Sequence, residues 1–260
     1  MRHDRLFSTK TGRAWSGGLC VGLFLCFAVG ATLFACSFFT QKTRARATPH
    51  DWALTATAAL ALAYDCQRID LLGWDEKTEE NIARWKIFLR DYWGIQSRDD
   101  LLRNVNWLEE GGGHRILFKN EGERLAAMTT EQLRDMINNS GEDERFRILV
   151  VLRNYEAQGT RGILAWDWNR VIHIAGWSWF VGYISEDEAW RIIMPIARDL
   201  QRNYKSWDDL VKGYMIGREY WSLQQTKLKG QKLFDAHQQL LKDPRSPYHT
   251  IPWDLNLGKE

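Results

Sequence analysis

The stretch that most constrains this chain is Gly162 to Trp190, GILAWDWNRVIHIAGWSWFVGYISEDEAW. From Ile163 to Phe180 its apolar residues cover nearly every face of a helix. A helix that is apolar all round is a buried one. Asp167 and Arg170 sit inside this run, three residues apart and so neighbours on a helix. Their charges favour a protein interior over a second membrane span. Ser185-Glu186-Asp187-Glu188 then has the pattern of a full capping box, with Ile184 placed as a hydrophobic staple. The chain must therefore wrap other elements around one central helix.

Those elements are helical by pattern. Thr48-Pro49 reads as an N-cap with Pro at the first helical position, opening an Ala/Leu-rich helix from Asp51 to about Cys66. A helix over Asp75–Trp93 places Ile82, Trp85, Leu89 and Tyr92 on one face and ends at Gly94. Ser97 with Asp100 opens a third helix through Leu108, stopped by Gly111-Gly112-Gly113. Shorter helices follow over Glu121–Ala127 and Thr130–Asn138, the second with Thr130 as cap, and then Glu142–Ala157. After the central helix come Ser185–Tyr204, kinked by Pro195, then a helix from Ser206 through Tyr220, and Leu223–Leu241. The tail after Ser246 is irregular, and Tyr248, Ile251 and Trp253 are expected to pack it back onto the domain. No convincing β alternation and no solenoid period appears. The expectation is an all-α fold: one compact domain of about nine or ten helices over residues 51–260.

Residues 1–40 are different. Arg2, Arg5, Lys10 and Arg13 lead into a run without a charge from Ala14 to Thr40. Spanning a bilayer takes about 20 residues. Two readings stand: an uncleaved membrane helix, or a lipoprotein signal in which Leu33-Phe34-Ala35-Cys36 resembles a lipobox and Cys36 carries the lipid. Phe34 is bulky for that pattern. Residues 41–50 are a linker, and Lys42, Arg44 and Arg46 follow the apolar run. The four cationic residues before it weakly favour a domain outside the cytoplasm, in the periplasm. The alternative is an inner-membrane protein whose domain faces the cytoplasm.

Composition excludes some functions. Lys+Arg 35 against Asp+Glu 33 leaves a formal charge of +2, without the basic excess of a nucleic-acid binder. Of the four cysteines, Cys20, Cys26 and Cys36 lie in the apolar segment, so Cys66 has no disulfide partner within the domain. The chain has 14 tryptophans, enough for a core of large rings or an aromatic groove. No G-x-S-x-G, H-E-x-x-H, P-loop or paired-Cys motif occurs.

The motif W-D-x-x-R, followed by GYISEDEAW and SWDDLVKGYMIGREYW, resembles a bacterial family, domain-of-unknown-function family 1266, the YbeU/YbeR-like uncharacterised proteins. The residues that carry the resemblance are Trp166-Asp167, Arg170, Gly182-Tyr183-Ile184-Ser185, Ala189-Trp190, Ser206-Trp207, Gly217-Arg218 and Trp221. Trp107-Leu108, Gly113-His114-Arg115, Ser246-Pro247 and Pro252-Trp253 add to it. The resemblance covers nearly all of the part after the linker and implies no reaction. Many members of the family lack a membrane segment, so it carries over no cellular location.

The polar residues to weigh are Asp167, Arg170, His114 and Arg218, with His173 one turn after Arg170. An Arg held by a carboxylate is able to bind phosphate or carboxylate, but the commoner role of such a pair is to fix helix docking. If the helix bearing Arg218 crosses the central one, Arg218 faces Asp167 in a buried Arg–Asp–Arg network. The histidine spacing matches no metal site, and neither a metal nor another cofactor is expected. Two function classes follow. One is a membrane-tethered binding protein for a protein partner, for example an immunity-type protein at the envelope. The other is a small-ligand binder or hydrolytic enzyme using Asp167, Arg170, Arg218 and His114, which requires those side chains to converge on a partly exposed concavity. The absence of catalytic signatures favours the first.

Overall fold

The computed structural model describes residues 47–66, 68–111 and 114–258. The expected anchor over 1–40, most of the linker and Cys36 lie outside the described residues, as do Gly112 and Gly113. Among the described residues all regular structure is helical, and no helix is long and apolar enough to cross a membrane.

Local chemistry starts most of the helices. Thr48 caps α1 (Pro49–Ala56) in a capping box closed by Asp51, as the Thr-Pro signal predicts. The Ala/Leu run does not continue as one helix. Thr57 breaks it, and α2 (Ala58–Ala63) follows. The reason is a buried hydroxyl: Thr57 Oγ1 donates to Leu54 O at 3.0 Å and accepts from Trp74 Nε1 at 3.3 Å. That bond reaches across 17 residues and is invisible in the local pattern.

The next helix, α3, runs over Glu79–Phe88, not from Asp75. Thr78 caps it, while the Asp75 carboxylate accepts from Trp85 Nε1 at 2.7 Å and pairs with Arg84. Leu89–Trp93 then forms a π-helical turn before Gly94, which closes it at φ 65°. The wider turn rotates the register. Trp85 and Leu89 are buried and Ile82 is half-buried, but Tyr92, expected on the same face, is 58% exposed.

After α4 (Arg98–Glu109), α5 runs over Arg115–Ala126, longer at its start than the sequence suggests. Thr129, one residue before the expected cap, closes a box with Gln132 to start α6 (Thr130–Asn139). Next come α7 (Glu142–Gln158) and a 3-10 turn over Gly159–Arg161. The central α8 (Leu164–Phe180) is buried at every position except Trp179, as its all-round apolar pattern requires.

The Ser185 side chain accepts from the Glu188 amide to cap α9 (Glu186–Asn203), which contains Pro195. The expected full capping box is only half made. Glu188 turns its carboxylate to Arg98 Nε at 2.6 Å and ties the start of α9 to the start of α4. Then come α10 (Trp207–Trp221), α11 (Leu223–Lys242) and a one-turn α12 (Pro247–Thr250). Twelve α-helices stand among the described residues, where nine or ten are expected. The difference is the break at Thr57 and the turn in the tail.

Helices α9, α10 and α4 surround α8, with α3 and the π turn closing the remaining side. The tail packs back as expected. Its carbonyls accept from indoles: Trp52 Nε1 to Trp253 O at 2.8 Å and Trp207 Nε1 to Ile251 O at 3.2 Å. Gln201 Nε2 adds bonds to Trp253 O and Leu255 O. Cys66 is a buried free thiol.

Candidate functional site

The first turn of α8 carries Asp167, which is fully buried, and Arg170 follows one turn on at 8% exposure. Arg170 Nη2 donates to Asp167 Oδ1, and Arg170 Nε donates to Trp166 O at 3.2 Å. Three indoles enclose the guanidinium. Its central carbon lies 4.7 Å from the ring centre of Trp166, 5.8 Å from that of Trp93 and 6.0 Å from that of Trp107. These rings come from α8, the π turn and α4. A guanidinium over indole faces gains cation–π energy, most where water is excluded. Burial pulls the Arg170 pKa below its usual value, and the Asp167 charge opposes that fall.

Asp167 uses one oxygen only. Its Oδ2 is buried without a hydrogen-bond partner among the described residues. Such an atom carries a desolvation cost of about 1–3 kcal/mol, more when charged. His114 lies within the field of Arg170 but bonds to neither partner of the pair. Its Nδ1 is buried and unpartnered, and its ring meets Tyr220 edge-on at 6.4 Å. Burial, then Arg170 and Arg147, push its pKa down to about 3. His173 is sealed between Trp74 and Trp177, with ring centres 4.7 and 5.4 Å away. Burial and Arg170 push it down to about 3 as well. Both rings are neutral at neutral pH. Neither hydrogen-bonds to a Ser, Thr or Cys side chain among the described residues.

Arg218 does not join this pair. It is buried on α10, but its Nη2 donates to Gln225 O at 3.3 Å, and its Nε has no partner. α10 does cross α8, and the crossing brings Trp166 against Tyr214 and Trp221, 5.1 and 5.6 Å between ring centres. The expected Arg–Asp–Arg network is therefore replaced by aromatic packing, with Arg218 turned toward the start of α11. The cage rings Trp93 and Trp107 were not among the residues singled out for chemistry. Their sequence signals are that each lies at the end of a helix pattern and that Trp107 belongs to the residues carrying the family resemblance.

An open depression of about 410 Å³ lies elsewhere, between α7 and α10, with Arg153, Asn154, Lys212 and Glu219 around Met215 and Ile216. None of Asp167, Arg170, His114 and Arg218 lines it. Among the described residues no three His, Cys, Asp or Glu side chains converge to hold a metal ion.

Trp166, Asp167 and Arg170 lie inside the segment that matches a known family. Residues 88–253 match the family described as "Protein of unknown function (DUF1266)". The chain belongs to the DUF1266 family. The match takes in the π turn, α4 and α8, and so all three walls of the cage. Among curated proteins, the chain is 29% identical over 133 residues to the uncharacterized protein YbeR of Escherichia coli (strain K12), covering 51% of this chain and 56% of YbeR. It is 24% identical over 182 residues to the uncharacterized protein YbeU of the same organism, covering 64% of this chain and 75% of YbeU. No solved structure matches. The DUF1266 match begins at residue 88, after the apolar N-terminal run and after α1 and α2.

Proposed function

We propose that this DUF1266 chain is a membrane-tethered helical binding protein with a protein partner, and that Asp167 and Arg170 hold its core together. The observation that carries this reading is the closure of the pair. Oδ1 and Nη2 meet each other, three indoles enclose the cation, and the open depression lies on another face. A catalytic or ligand-binding Arg must reach its substrate, whereas a caged one fixes the angle at which α4 and the π turn dock on α8. The charge-free run of Ala14–Thr40 supports the tether, and the cationic lead supports a periplasmic domain.

A second reading, a small-ligand binder at the same place, draws on the unpartnered Asp167 Oδ2 and His114 Nδ1. Asp167→Asn separates the two. Under the first reading the full chain loses stability, and capture of its partner falls only in step with the folded fraction. Under the second the fold survives and binding of a small anion is lost. Mass analysis of the mature N-terminus, with Cys36→Ala beside the wild type, tests the tether. A mature chain that carries no lipid on Cys36 and is also not retained in the membrane fraction would sink that part of the proposal.

A further inference from the structure

His237 on α11 is 1% exposed, yet it pairs with a charge. Its Nε2 lies 2.9 Å from Asp208 Oδ1, in the first turn of α10. The other Asp208 oxygen accepts from Lys212 Nζ at 2.6 Å. Burial works against the Asp208 carboxylate, but the bonds from Lys212 and His237 outweigh it and hold its pKa below the usual carboxylate range. Asp208 is thus an acceptor at neutral pH, and His237 is the neutral tautomer that carries its proton on Nε2. The remaining nitrogen, Nδ1, is buried with no partner among the described residues.

Tyr248 of α12 lies against this ring. It meets His237 edge-on at 5.9 Å and stacks on Trp207 at 5.7 Å with an interplanar angle of 10°. Its own hydroxyl is buried and unpartnered. Tyr248 is the first large side chain of a strap, residues 246–258, that continues over Trp207 and Trp52 through the carbonyls of Ile251 and Trp253. α10 presents Asp208 and Lys212 to His237, and α12 presents Tyr248. The other two elements packed on α11 are α2, AALALA with nothing to titrate, and α7, and the charges that meet α11 on those sides pair with lysines before His237: Asp65, just after α2, with Lys232, and Glu142 of α7 with Lys227.

We propose that Asp208, His237 and Tyr248 form an acid-sensitive latch that holds the C-terminal strap closed while His237 is neutral and releases it when His237 takes a second proton. The second proton has one place to go, Nδ1, and in the closed strap that atom is buried with no acceptor among the described residues. Lys212, bound to the far side of Asp208, adds repulsion. Lifting Tyr248 off the ring gives Nδ1 access to water and relieves both costs. Burial, opposed by Asp208, holds the closed-state pKa of His237 below its ordinary value of 6.5. The open strap binds the proton more tightly, so acid favours opening. One proton is linked, so the opening constant rises about tenfold per pH unit below the ordinary histidine value. Release uncovers the indoles of Trp52 and Trp207, a large apolar area next to the start of the helical domain.

The test is hydrogen exchange by mass spectrometry on the full chain in detergent, at about pH 7.5 and about pH 5, with rates corrected for the chemical exchange step. Peptides covering the strap report the latch, and peptides covering α8 report global unfolding. Three proteins are compared: wild type, His237→Gln and Lys212→Gln. Gln at 237 still donates to Asp208 but does not titrate. The expected result is a wild-type strap that at low pH exchanges well ahead of α8, losing protection by about a factor of ten per pH unit. In H237Q the strap stays protected. K212Q is a surface change that keeps the fold. It eases protonation in the closed state and so opens less than wild type. The latch is overturned if the wild-type strap and α8 lose protection together, if the strap is unchanged at low pH, or if H237Q opens as steeply as wild type. Should H237Q fail to fold, K212Q decides, and an opening identical to that of wild type overturns the latch.

Discussion

Gly217 of α10 lies directly on Trp166 of α8. A β-carbon placed on Gly217 would fall inside the van der Waals surface of Trp166, 2.6 Å from its Cγ, and 3.3 Å from Ile163 Cβ. The two helices approach this closely because one of them has no side chain at the crossing. The approach also holds Trp166 where its indole faces Arg170 at 4.7 Å. Helix contact and cage are thus one arrangement.

Gly217→Ala is therefore an overpacking change against backbone-proximal atoms of a ring that has no room to move. Such insertions cost about 1–3 kcal/mol, occasionally more. Denaturant midpoints of wild type and G217A measure it. A variant as stable as wild type would mean that α10 shifts freely along α8.

Asp167→Asn leaves Arg170 charged and buried without its counter-ion. Removing one member of a buried pair costs about 3–5 kcal/mol, whereas replacing both by apolar residues of similar size is often neutral. D167N is expected in that range, and D167N combined with Arg170→Met is expected to recover most of the loss. Urea titration of the single and double variants reads both. A double variant as unstable as the single one would argue that Asp167 is needed for something other than Arg170.

Acid destabilises the domain through His114 and His173. Both have folded-state pKa values near 3, against an ordinary 6.5. Between those values the unfolded chain binds protons that the folded chain refuses, so stability falls as pH drops from 6.5 toward 3. Each histidine contributes about 1.4 kcal/mol per pH unit in that window. Above 6.5 neither contributes any slope. Chemical denaturation across the window, with His173→Gln as control, gives the slope. H173Q should flatten it by about one proton.

The strap stabilises the domain as well as closing it. Trp253 packs on Trp52 and Trp207 at 5.0 and 4.9 Å between ring centres. Full truncation of a buried large aromatic costs about 3–5 kcal/mol. Trp253 is half-buried, so Trp253→Ala is expected to cost about 1–3 kcal/mol on the same scale. Calorimetry on W253A measures this. No change in Tm would show that the backbone bonds to Trp253 O and Ile251 O hold the strap alone.

Where a structural decision is local, the residues announce it. Thr48, Ser97, Ser185 and Ser206 each accept the amide three residues on, a choice settled within one turn of chain. The buried α8 is equally legible, since apolar residues on every face leave a helix nowhere to go but inside. The Asp167–Arg170 pairing follows from helical spacing alone. Other features depend on partners far along the chain. Trp74 bonds Thr57 and interrupts the first helix. Arg98 takes Glu188 out of its capping box across 90 residues. Trp93 and Trp107 become walls around Arg170 only when α4 and the π turn reach α8. Arg218 has the right helix and the right burial, yet its Nη2 turns to Gln225 O while Trp166 packs on Gly217 beside it. The Asp208–His237 contact joins residues 29 apart on two helices. The sequence by itself determined the helices, their caps, the central element and its ion pair, because those depend on a few neighbouring residues. Only the tertiary structure decided which charges meet and which are walled off by rings, because that depends on the rotation of each helix about its axis, which packing sets and no short stretch of chain encodes.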